Sequence, residues 1–92
     1  MHIYNEAIDS YTKGFEIQKA GGFPYRIAQC YEALLDFNAA YDYYLQSAKI
    51  RKNDVRAGIS HESTHEAVTN ARRLAEQLQR EDELPKWFTK VS

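Results

Sequence analysis

FNAAYDYYLQSAKIRK, residues 37–52, lies over YNEAIDSYTKGFEIQK, residues 4–19, without a gap. The offset is 37 − 4 = 33 residues, and Asn5/Asn38, Ala7/Ala40, Asp9/Asp42, Tyr11/Tyr44, Ile17/Ile50 and Lys19/Lys52 are identical. Tyr4/Phe37 is a close match, and Gly14/Ser47 keeps a small residue in register. Within each copy the apolar residues recur at three- and four-residue steps, the period of a helix buried along one side. A repeat of about this length holds two helices with their turns. The spacing predicts helix pairs, each covering the next.

The stretch between the copies supplies the other helix. Ala20-Gly21-Gly22 stops the first copy, and Pro24 suits the first turn of a helix carrying Ile27, Ala28, Tyr31, Leu34 and Leu35. Asp36 and its neighbours make a tight turn into the second copy. Further on, Asn53 to Glu62 is polar with Gly58 inside it, and Ala67, Val68, Ala71, Leu74, Ala75 and Leu78 mark a last long helix. No stretch sustains period-two alternation, so no sheet is expected. The expected fold is all-α, about four helices plus a C-terminal tail. Its parts are the second helix of an incomplete repeat (1–20), a complete hairpin (23–53), a final capping helix (63–82) and a tail (83–92), all in one domain over 1–92.

Composition bounds the function. The chain has 92 residues, 43% hydrophobic and 27% charged, with a formal net charge of −1. That length builds one modest core. The balance gives no general attraction to nucleic acid or to anionic membranes, so neither is expected as a partner. No apolar run approaches the roughly 20 residues of a membrane span. MHIYNEAIDS lacks a signal-peptide pattern, and one cysteine, Cys30, forms no internal disulfide. Both fit a reducing cytoplasmic setting. Cys30 sits on an apolar-periodic stretch and reads as a buried small hydrophobe.

The period and the residue types together resemble the tetratricopeptide family. Ile27, Ala28 and Tyr31 resemble the L-G-x-x-Y of that family's first helix, and Ala40, Tyr44 and Ser47 the Ala, aromatic and Ala of its second. The resemblance covers about residues 3 to 78 and implies antiparallel helix hairpins stacked as a short right-handed solenoid. The longer segment SAKIRKNDVRAGISHESTHEAV resembles the kinesin-light-chain-like subtype, in which an A-L-x-I-R helix end leads through a G-x-x-H-P-x-T-A-like loop. Three positions depart from the family pattern: Pro24 where an aromatic is usual, Leu35 where the turn usually has Gly, and Lys52 or Asn53 where Pro often closes the unit. Three-helix microtubule-interacting-and-transport domains use a similar hairpin and stay as the alternative fold.

HESTH, residues 61–65, also reads as H-E-x-x-H, in which two His one helical turn apart hold zinc and the Glu activates water. The subtype resemblance instead makes Gly58, His61 and Thr64 a loop. Ser63-Thr64-His65-Glu66 reads as a capping box, which would start the helix at Ser63 and leave His61 outside it. No third ligand or cleft is evident, so no metal or other cofactor is expected. No nucleophile elbow, phosphate-binding Gly loop or Cys cluster is present, so the expected function is not enzymatic. The alternatives are a zinc hydrolase through His61, Glu62 and His65, or a helical accessory domain of a larger enzyme assembly.

The expected function is protein–protein interaction or scaffolding. The family pattern implies a concave face built from first helices, placing Tyr25, Arg26, Gln29, Glu32 and Ala33 on one helix. Arg72, Arg73, Glu76 and Gln79 would follow on the last. Arg26, Arg72 and Tyr25 could together receive an acidic group, since Arg offers bidentate donors. Tyr11, Tyr31, Tyr41 and Tyr44 read as core, with Tyr25 and Tyr43 freer. The first helix should present Ile3, Ala7, Ile8 and Phe15 to a second copy in a homodimer. Leu84, Trp87 and Phe88 around Pro85 should fold back onto the last helices.

Overall fold

A computed structural model describes the backbone of residues 2–55 and 61–90, and the side chains of residues 3–53 and 64–88. The elements are α1 (His2–Ile17), α2 (Gly22–Ala33), α3 (Phe37–Val55) and α4 (His61–Leu78), then two 3-10 turns, Glu81–Glu83 and Lys86–Lys90. Among the described residues there is no strand, and no helix is long and apolar enough to cross a membrane. The polar segment around Gly58 lies outside the described residues.

The helices pack in chain order, α1 on α2, α2 on α3 and α3 on α4, in a slab of 38 × 32 × 17 Å. The core is Ile27, Ala28 and Cys30 of α2, Ala40, Tyr41, Tyr44 and Ala48 of α3, Ala67 to Ala75 of α4 at helical spacing, and Phe88 of the tail. Small residues recur where helices meet, which lets the backbones approach. Cys30 is buried as expected, and desolvation pushes its thiol up from the ordinary range. No described side chain of α1 is fully buried. Tyr11 and Tyr31 are half-buried rather than core.

The turn from α2 to α3 takes three residues. Asp36 N–H donates to the Tyr31 carbonyl at 2.9 Å and Leu35 N–H to the Glu32 carbonyl at 3.0 Å, the paired bonds of a Schellman cap. Leu35 takes the left-handed conformation, φ 65°, that such a cap requires. Asp36 then caps α3 by accepting from Ala39 N–H at 3.2 Å. The end of α4 repeats the device, with Gln79 at φ 59° and Arg80 N–H donating to the Ala75 carbonyl at 2.8 Å.

Gly21, just before α2, lies tight against α3. The buried Ser47 hydroxyl donates to its carbonyl at 2.7 Å, and a Cβ there would lie 2.6 Å from Arg51 Cγ. Gly14 works similarly between α1 and α2, since a Cβ would lie 2.5 Å from the Phe23 ring.

The last helix corrects one expectation. α4 is already helical at His61, two residues before Ser63, and ends at Leu78. Ser63 is therefore inside the helix and is not its cap. The tail does fold back. Phe88 is 1% exposed, Trp87 packs edge-on against it at 4.6 Å, and Lys52 lies over the Trp87 ring at 4.5 Å. Arg80 fastens the first 3-10 turn, bonding Glu83 twice at 2.8 Å, Asn38 at 3.2 Å and Asp42 at 3.3 Å while lying over Tyr41. Its guanidinium holds the Glu83 carboxyl below the usual range.

Candidate functional site

An open groove of about 380 Å³ runs between α2 and α4 over a floor from α3. Tyr25, Gln29, Glu32 and Ala33 line it from α2, Tyr44 from α3, and Asn70 and Arg73 from α4. Helical spacing explains the set, because residues 25, 29, 32 and 33 share one side of α2 and residues 70 and 73 one side of α4.

A single polar network ties the three helices together. Arg73 donates to both Glu32 carboxylate oxygens, at 2.8 and 3.0 Å, and to Asn70 Oδ1 at 3.0 Å. The Tyr44 hydroxyl donates to Glu32 at 2.9 Å, and Asn70 Nδ2 donates to the Tyr25 hydroxyl at 3.0 Å. Burial first, and then the bond to Glu32, push the Tyr44 phenol well above its ordinary range. Tyr25 meets Tyr44 edge-on at 5.3 Å, and the Arg51 guanidinium lies over Tyr25 at 4.5 Å. Burial pulls Arg51 below its ordinary range, and nearby Glu66 opposes that shift. Glu32 and Arg73, facing each other from α2 and α4, form an ion pair across the groove and offset each other's charge.

The expected site is partly assembled. Tyr25, Gln29, Glu32, Ala33 and Arg73 converge on the groove. Arg72 does not, because its guanidinium donates to the Phe88 carbonyl and holds the tail. Arg26 borders a different cleft, between α1 and α2, so the three-way grip of Arg26, Arg72 and Tyr25 does not form. Glu76 is exposed one turn beyond Arg73, and Gln79 is the left-handed cap residue. Asn70 and the Tyr44 hydroxyl went unforeseen. The signal for Asn70 was its three-residue step from Arg73, whereas Arg72 stands about 100° away around the helix.

The self-association set is also redistributed. Ala7, Ile8 and Phe15 are half-buried, while Ile3, Tyr4 and Ile17 are 76%, 41% and 89% exposed. Glu6, Ser10 and Lys13 stand between Ile3 and Ile17 on that side of α1, so it carries no continuous apolar seam.

At HESTH the backbone is helical from His61 through His65, which sets the two His positions one turn apart on one side. The side chains of His61 and Glu62 lie outside the described residues. His65 is exposed, and among the described residues no three His, Cys, Asp or Glu side chains cluster as a metal site. The helix start therefore no longer counts against zinc, and the want of a third ligand and a cleft remains the ground for expecting none.

No family model, curated protein or solved structure matches this chain.

Proposed function

We propose that the chain is a tetratricopeptide-like interaction module that holds a partner polypeptide between α2 and α4 and also self-associates. The observation that carries this reading is the groove itself: Tyr25, Gln29, Glu32 and Arg73, residues up to 73 − 25 = 48 positions apart, share one surface. Its volume lies near the lower end for small-molecule sites and its side is open, which suits a few side chains of a peptide better than an enclosed metabolite. The exposed amide of Gln29 is suited to exchanging hydrogen bonds with a peptide backbone. The neutral Glu32–Arg73 pair favours a partner of mixed charge over a strongly acidic one.

Affinity capture from source-cell extract, read by quantitative mass spectrometry, tests this. Asn70→Lys puts a long side chain into the groove and should remove the captured partner with a melting temperature only slightly lowered. Identical capture by wild type and Asn70→Lys would take the groove out of the function.

A further inference from the structure

The exposed residues Gly22, Arg26, Gln29 and Ala33 step by four, three and four along one side of α2. At the N-terminal end of this stripe, Tyr11, Ala20, Gly22, Phe23 and Arg26 line a cleft of about 290 Å³ between α1 and α2, walled mostly by carbon. That is room for one large side chain.

Two adjacent glycines differ here. Packing against Arg51 and Ser47 demands the first, Gly21. A Cβ on Gly22 would meet nothing within 4 Å, and its φ lies outside the left-handed region. A helical glycine is less stable than alanine, and no neighbour in the chain uses the space it leaves. Arg26 is exposed as well. Its hydrogen bond is a long 3.4 Å contact to Gln29, and it has no carboxylate partner among the described residues.

The other end of α2 carries what this cleft lacks. Leu35 is held at φ 65°, unfavourable for a side chain with a Cβ, and is 74% exposed. Glycine would relieve both costs. Asp36 follows it, exposed, with one oxygen engaged at Ala39 N–H.

We propose that α2 pairs antiparallel with α2 of a second copy, each Leu35 entering the other's cleft beside Gly22 and each Asp36 reaching the other's Arg26. The arrangement is isologous, because the same two patches meet twice about a two-fold axis near Gln29. Gln29 and Ala33 also line the groove, so pairing and partner binding alternate. Gly22 and Ala33, small residues towards the two ends of the stripe, let the helices approach. One short helix pair is a small interface, so the association is transient and concentration-dependent. The proposal rests on the self-association part of the function proposed above and names its surface.

Sedimentation across micromolar to millimolar protein tests it. The wild-type mass should rise towards a dimer, while Leu35→Gly and Gly22→Leu each stay monomeric and folded by circular dichroism. Leu35→Gly should also melt higher, so lost association cannot come from unfolding. Mixing the two variants restores one of the two contacts and should recover weak association. A wild-type monomer at millimolar protein would overturn the proposal, and so would a dimer indifferent to both variants. Asn70→Lys should still self-associate. If only groove-dependent capture survives, the dimer surface falls and the interaction module stands.

Discussion

The two copies of the repeated sequence, in α1 and α3, live in different surroundings. Ala40 and Tyr44 are 0% and 2% exposed, whereas Ala7 and Tyr11, the same residues 33 positions earlier, are only half-buried. Ile17 is 89% exposed while Ile50 is half-buried. The cause is neighbours: α3 is covered by α2 on one flank and α4 on another, and α1 packs mainly on α2. An identical residue at an identical repeat position therefore contributes differently to stability. The repeat sets which side of the helix is apolar, and the surroundings set how dry that side becomes.

The largest expected effect separates the two tyrosines. Tyr44→Ala should cost about 3–5 kcal/mol, as expected for an aromatic lost from a packed core. Tyr11→Ala should cost less than half of that, about 1–2 kcal/mol, since Tyr11 is only partly buried. Urea unfolding measures both, and equal costs would mean that α1 is covered in solution as α3 is.

The alanine pair gives a smaller contrast. Ala40→Leu forces a larger side chain between packed helices and should cost about 1–3 kcal/mol. Ala7→Leu should stay within about 1 kcal/mol, because its half-open surroundings can shift. Similar losses in urea would end the distinction between the copies.

The smallest effect concerns the turn that seats α3 on α2. Leu35→Gly relieves a left-handed leucine and should raise stability by about 1 kcal/mol. For a domain of this size the melting temperature would rise by about 4–8 °C. A lower melting temperature would show that Leu35 makes contacts within its own chain that outweigh its strain.

Much of this was legible in the chain because it is local. Helical period, the glycine stop before α2, Pro24 in its first turn and the Asp36 turn into α3 depend on residues within a few positions of one another. The α2 residues expected on a concave face came from the family resemblance, and of them Tyr25, Gln29, Glu32 and Ala33 line the groove while Arg26 borders another cleft. The start of α4 was misjudged: Ser63 to Glu66 satisfies a capping pattern, yet the backbone is already helical at His61. A capping box is permitted by four residues and is not imposed by them.

What only the tertiary structure decided is where long side chains end and which surfaces stay wet. Arg72 and Arg73 are neighbours in sequence, but one holds the Phe88 carbonyl and the other the Glu32 carboxylate, 73 − 32 = 41 residues away. No pattern within α4 contains either partner. Period and turn chemistry are properties of short stretches, so the sequence alone determined four helices and their apolar sides. Burial, the choice of ion-pair partner and the groove depend on elements that only folding brings within a few ångströms of each other.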